Sequence, residues 1–130
     1  MRPSPRFLRP HSVIIKNYIG EVNDEAQYID TELKYVRIDE NYGIVQSQKG
    51  IESDDKMLIV IDLRDYLALQ KNGTVAVYVI PEVYNNEEGT FTFRGDKDLI
   101  IYKGKEYTVN SIKTHFLFST DPEYLEVLIK

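Results

Sequence analysis

With 130 residues, 42% of them hydrophobic and 28% charged, the chain has the size and composition of one globular domain rather than of a disordered segment. A formal net charge of -5 argues against global attraction to nucleic acid and leaves only a local basic patch for that role. The absence of cysteine excludes disulfides, thiolate catalysis and Cys-type zinc sites.

Residues 1–11 hold Pro3, Pro5 and Pro10 together with Arg2, Arg6 and Arg9. Prolines at this density disfavour helix and sheet, so this stretch reads as an extended N-terminal arm. It is either a loose tail or an arm that packs on a neighbouring subunit through Phe7 and Leu8. No apolar core follows its arginines, so it does not read as a secretory signal, and no stretch nears the roughly 20 apolar residues of a membrane span. Residues 12–130 then form a single domain.

Ser12 to Gly20, "SVIIKNYIG", is β-branched and apolar and predicts a strand. The polar "EVNDEAQYIDTE" predicts a connection. "LKYVRID", Leu33 to Asp39, alternates and predicts a second strand, with Leu33, Tyr35 and Arg37 on one face and Lys34, Val36 and Ile38 on the other. Asp39 to Lys56 has two glycines and no sustained period. Its Asp39, Glu40, Glu52, Asp54 and Asp55 outweigh Lys49 and Lys56, for a net charge of -3. A loop of this length inside a compact domain is often functional; the alternative is a flexible hairpin with a solvated tip.

"MLIVIDL", Met57 to Leu63, predicts a strand buried on both faces. "DLRDYLALQKNG" predicts one short helix, capped by Asp62 and ended by Asn72-Gly73. "TVAVYVIPEVY" predicts a strand stopped by Pro81, "NNEEG" a turn, "TFTF" a short extended piece and "RGDKD" another turn. Leu99 to Tyr102 and Tyr107 to Thr114 predict a hairpin around Lys103-Gly104, and "YLEVLIK" a last strand. Short strands at this spacing predict an all-β, mainly antiparallel single-domain barrel with long loops and one or two short helices. The central apolar positions, Ile14, Val36, Leu58, Val60, Val77, Ile100, Val109, Ile112 and Val127, are its expected core.

Catalytic equipment is scarce. His11 and His115 are the only imidazoles, and neither has a metal-ligand companion at the usual spacing. Asp62 and Asp65 are explained by a helix N-terminus without any chemistry. "RGD" at Arg94 to Asp96 reads as a turn. No phosphate-cradling glycine loop is present, and no cofactor or enzyme activity is expected. Ten tyrosines raise base stacking, with Lys97, Lys103, Lys105 and Lys113 as a candidate basic patch; core and interface roles are the competing explanation.

Several segments resemble, in order, the minor capsid or head-completion proteins of tailed phages and prophages of Gram-positive bacteria. "HSVIIKNYIG" resembles that family's opening strand and "YVRID" its Val-Arg-Val strand. Asp62 matches its mid-chain aspartate, "DLIIYKGKEYTVNSIKTHF" its hairpin, and "YLEVLIK" its closing strand. The resemblance implies a structural virion protein at the head–tail interface, present in the host cytoplasm before assembly. Such a protein self-associates into a ring beneath the portal or its adaptor, closes the DNA channel and presents a surface to a tail protein. Packaged DNA lies nearby without specific binding, and no membrane and no cofactor are involved. By position alone, the loop of Asp39, Glu40, Gly43, Ile44, Val45, Gly50, Ile51, Glu52, Asp54 and Asp55 corresponds to the region that gates the channel in stopper-type relatives. Gly43 and Gly50 are its candidate hinges, and Ile44, Val45 and Ile51 its candidate packing residues. The alternative function is a small nucleic-acid-binding barrel.

Overall fold

The computed structural model describes residues 5–48, 50, 56–116 and 123–130. In chain order the strands are β1 (His11–Val22), β2 (Glu25–Asp39), β3 (Met57–Asp62), β4 (Leu67–Leu69), β5 (Val77–Tyr78), β6 (Thr90–Phe91), β7 (Leu99–Tyr102), β8 (Lys105–His115) and β9 (Tyr124–Ile129). One short helix, α1 (Tyr42–Gln48), lies between β2 and β3. Pairing runs β1-β7-β8-β9-β3-β2, and β2 returns to β1, so six strands close into an antiparallel ring. This is the mainly antiparallel, helix-poor domain that the β-branched runs and turn spacing predict.

The β1–β2 hairpin is longer than its polarity suggests. Asn23 and Asp24 both take positive φ (54° and 65°), the conformation of a tight turn whose twist matches the flanking strands. Pairing therefore continues through the polar residues to Val22 opposite Glu25, where a connection was expected. In β2 the register slips by one, so that His11 faces Val36 while Ser12 faces Lys34. Tyr35, at φ 64°, is the extra residue. This bulge puts Val36 and Ile38 on the same buried face as Leu33 and overturns the expected grouping of Leu33 with Tyr35 and Arg37.

The hairpin joins the rest of the ring through two short seams. β1 meets β7 over Ile14–Lys16, and β2 meets β3 over Arg37–Asp39. The other walls, β7–β8, β8–β9 and β9–β3, are paired over four to six residues.

The core lies inside this ring. Val13, Ile15, Leu33, Val36, Ile59, Ile61, Ile100, Val109, Leu125, Val127 and Ile129 are all buried. β3 alternates: Met57, Ile59 and Ile61 point inward, whereas Leu58 and Val60 are half-buried on the outer face. A continuous apolar run conceals that parity, which is why Leu58 and Val60 were misplaced in the core. Ile112 is likewise half-buried, and Ile14 and Val77 are exposed.

The segment after β3 is not the expected helix. The Asp62 carboxylate accepts the Arg64 N–H (2.9 Å), making a turn. The chain then adds β4 beside Glu32–Lys34 of β2, with Ala68 buried and Asn72-Gly73 in a further turn. Cross-strand pairing overrides the helical pattern here. From residue 74 to 93 the chain makes an excursion rather than one long strand; only Val77 and Tyr78 extend, parallel to Thr90 and Phe91. Buried amides fix it. Asn17 Nδ2 donates to the Thr92 carbonyl (2.7 Å), and Gln70 Nε2 donates to the Thr90 carbonyl (2.9 Å). Gln70 Oε1 accepts the Gly89 N–H (2.8 Å). The excursion delivers Phe91 and Phe93, both fully buried, edge-on to one another at 6.0 Å.

Candidate functional site

Within the acidic connection between β2 and β3, Tyr42–Gln48 form α1 where an irregular loop was expected. Its entry is anchored. The Glu40 carboxylate accepts from the Tyr102 hydroxyl (2.7 Å) and from Lys103 Nζ (2.8 Å), which ties the loop to the β7–β8 turn. These two donors, Lys103 first, hold the Glu40 carboxyl below its ordinary value. Asp39 accepts the Asn41 N–H (3.0 Å). Gly43 lies inside α1, and its N–H bonds the Lys56 carbonyl (3.1 Å), so it is pinned rather than free to hinge. Gly50 takes φ 76°, a conformation that suits glycine. Ile44 is 60% exposed. Val45 belongs to α1, its side chain being outside what is described, and Ile51, Glu52, Asp54 and Asp55 lie outside the described residues.

The described part of the N-terminal arm, from residue 5 onward, is docked on its own domain. Pro10 leads directly into β1, and one turn of 3-10 helix covers Arg6–Leu8. Arg9, 3% exposed, sends Nη1 to the carbonyls of Tyr35 and Asp65 and Nη2 to Asp65 Oδ2 (2.7 Å). Arg6 clamps the same carboxylate with two bonds (3.0 and 2.9 Å) and lies 4.0 Å from the Tyr35 ring centre. Thus the arginines, not the aromatic and aliphatic residues, hold the arm. Phe7 and Leu8 face outward, at 77% and 51% exposure, and remain available to another molecule.

Arg6 first, then Arg9, hold the Asp65 carboxyl far below its ordinary value of 3.8. Because the folded value is depressed, this contribution to stability is complete above pH ~4 and is lost as pH falls below it. Thermal unfolding of the native chain and of Asp65→Asn, followed from near pH 6 down to about pH 2, should show the native advantage shrinking below pH ~4. A constant difference across that range would contradict the assignment.

A cleft of about 390 Å³ opens beside the arm, lined by Leu8, Arg37, Val60, Arg64 and Tyr124 above buried Arg9 and Asp62. Asp62 is bound by Arg64 through two bonds of 2.9 Å, and Arg64 also approaches Glu123 (3.5 Å). Arg37 is exposed and forms no ion pair among the described residues. Asp62 and Asp65 are therefore partners of arginines, not a catalytic carboxylate pair.

The remaining candidates disperse. Lys103 and Lys105 flank the β7–β8 turn, but Lys113 lies eight residues further along β8, about 26 Å at strand spacing. It sits opposite Glu126. A smaller cleft of about 320 Å³ does collect Lys56, Lys103 and Lys105 with Tyr102 and Tyr107. The RGD arginine is consumed internally. Arg94 makes two bonds to buried Asp98 (3.0 and 2.9 Å) and one to the Tyr18 carbonyl (2.7 Å). His115 stacks on Tyr124 (4.4 Å between ring centres) beside Glu126. No cluster of three or more metal-ligating side chains occurs among the described residues.

Sequence reasoning missed Arg9, whose setting between prolines reads as tail; its closeness to the first strand is the signal that it sits at the core boundary. It also missed Arg37, since nothing local marks a rim arginine before the strands are paired. Compared with known proteins, this chain matches no protein-family model, no curated protein and no solved structure.

Proposed function

We propose that this chain is a structural head–tail connector of a tailed phage or prophage, of the head-completion, stopper type. It would form a ring beneath the portal or adaptor, close the DNA channel and join the head to a tail protein. One observation carries the reading: the resembling segments fall on all six strands of the closed ring and nowhere else as a group. "HSVIIKNYIG" lies on β1, "YVRID" on β2, Asp62 at the end of β3, "DLIIYKGKEYTVNSIKTHF" on β7 and β8, and "YLEVLIK" on β9. In this reading the acidic connection carrying α1 projects into the channel. Its anchored entry at Glu40 supplies a fixed stem, and its charge repels DNA, so closure is steric.

The test is removal of the protein from the phage that encodes it. DNA-filled heads should then leak their genome and fail to join tails, and the protein supplied in trans should restore both. Tailed, infectious particles that lack the protein would overturn the proposal. A second reading, a nucleic-acid-binding module, has the Lys56, Lys103, Lys105 and Tyr107 cleft in its favour. It requires micromolar, salt-dependent binding of a single-stranded oligonucleotide that falls on Lys105→Glu.

A further inference from the structure

The β1–β2 hairpin runs past the ring. β7 holds β1 only at Ile14–Lys16, and β4 holds β2 only at Glu32–Lys34. From Ile19 to Gln27, among the described residues, the two strands pair only with each other. This ribbon exposes Ile19 and Val22, the latter at 59%. It carries Glu21, Asp24 and Glu25, and no basic residue between Ile19 and Gln27. Val22, with Glu25 opposite it, is the most exposed apolar point of this tip.

The opposite end of the same strand presents the complement. There the arginine-lined cleft offers Leu8, Val60 and Tyr124 as apolar walls, Phe7 beside them, and Arg37 at the rim. Eleven residue steps separate His11 from Val22, about 36 Å along a strand, so one copy cannot insert its own tip into its own cleft. Complementary surfaces at opposite ends of a molecule make a heterologous contact, which repeats head to tail and closes into a ring when the rotation allows.

We propose that the hairpin tip of one copy docks in the arginine-lined cleft of the next. Val22 and Ile19 enter between Leu8, Val60 and Tyr124, while Glu25, opposite Val22 on the same face of the ribbon, meets Arg37 at the rim. Apolar contact at the centre with opposite charges at the rim gives both adhesion and register. This inference deepens the ring reading and rests on it.

The chain has no cysteine, so introduced thiols report one contact at a time. Val22→Cys and Leu8→Cys, both at exposed positions, are prepared separately, mixed at high concentration and oxidised. The mixed disulfide between tip and cleft should exceed tip–tip and cleft–cleft disulfides by about tenfold. Adding Arg37→Glu to the cleft partner should reduce it about tenfold, and Glu25→Arg on the tip partner should restore it. Circular dichroism of each variant checks that the fold is kept. Dominance of the tip–tip product would overturn the inference in favour of symmetric pairing of ribbons. Indifference to Arg37→Glu would also overturn it. So would displacement of the tip by an oligonucleotide bound through Arg37, which would assign the cleft to nucleic acid. If packed heads contain rings of this protein that lack the tip–cleft cross-link, the inference fails and the connector reading stands. If packed heads contain no such protein, the connector reading fails, whatever the cross-link shows.

Discussion

Phe91→Ala should destabilise the domain by about 3–5 kcal/mol, measured by denaturant unfolding. Phe91 is fully buried, and its ring meets Tyr66, Tyr78 and Phe93 edge-on at 5.8, 5.8 and 6.0 Å. Those rings hang from separate segments: the turn before β4, the strand β5 and the stretch after β6. Two of these segments are tied to each other where the Tyr66 hydroxyl accepts the Tyr78 N–H (2.9 Å). They cannot collapse together into the space left by a lost ring, so the cavity term adds to the lost burial. Burial also pushes the Tyr78 hydroxyl up to about 12, a sign of how dry this cluster is. Val77→Ala is the control. That side chain is 53% exposed, and its loss should change stability by less than about 0.5 kcal/mol. A Phe91→Ala effect below about 1 kcal/mol would show that the excursion from 74 to 93 unfolds apart from the ring.

Arg9→Ala should cost about 2–4 kcal/mol and release the arm. The guanidinium is buried and serves the carbonyl of Tyr35, at the β2 bulge, together with both the carbonyl and the carboxylate of Asp65. Removing it takes the guanidinium donor from the Tyr35 and Asp65 carbonyls and leaves the Asp65 carboxylate to Arg6 alone. Arg9→Lys should recover little, because an ammonium is a point charge and cannot span three acceptors with a planar fork. Arg6→Ala should cost distinctly less, since that side chain is exposed and its pair is screened by water. Unfolding curves measure the first effect, and limited proteolysis near Arg6 the second. An arm that stays protease-resistant in Arg9→Ala would show that Arg6, rather than Arg9, secures it.

The strands of the ring were legible because each repeats apolar residues at a period of two or is rich in β-branched residues. Their order was not. β1 meets β7 across more than eighty residues of sequence, and nothing in "SVIIKNYIG" or "LIIY" names the other as partner. Parity failed at two places for two physical reasons. The Tyr35 bulge shifts β2 by one residue, and the unbroken apolar run of β3 erases the alternation that would tell Ile59 from Leu58. The helix expected after Asp62 failed because a three-residue strand satisfied by cross-strand bonds leaves no period to read. For the candidate site, the sequence pointed to Phe7 and Leu8 and to the acidic connection. It was silent on what anchors them, since Arg9 with Asp65 and Glu40 with Tyr102 are pairings made only by folding.

The two three-residue seams have a mechanical consequence. They divide the ring into two stiff bodies, the long hairpin on one side and the four strands β7, β8, β9 and β3 on the other. Shear between these bodies falls on a few hydrogen bonds, and at the β1–β7 seam side chains extend the contact where the backbone ladder stops. Beyond Lys16, the Asp98 carboxylate accepts the Tyr18 N–H (2.9 Å) and Arg94 Nη2 donates to the Tyr18 carbonyl (2.7 Å), so an ion pair stands in for the missing strand. Within the hairpin itself, His11 Nδ1 accepts the Ile38 N–H (3.1 Å) and ties β1 to β2 past the Tyr35 bulge. A thrust along the hairpin is therefore borne by two short joints, one of them riveted by side chains, rather than by continuous sheet, and the joints set the load at which the wall parts.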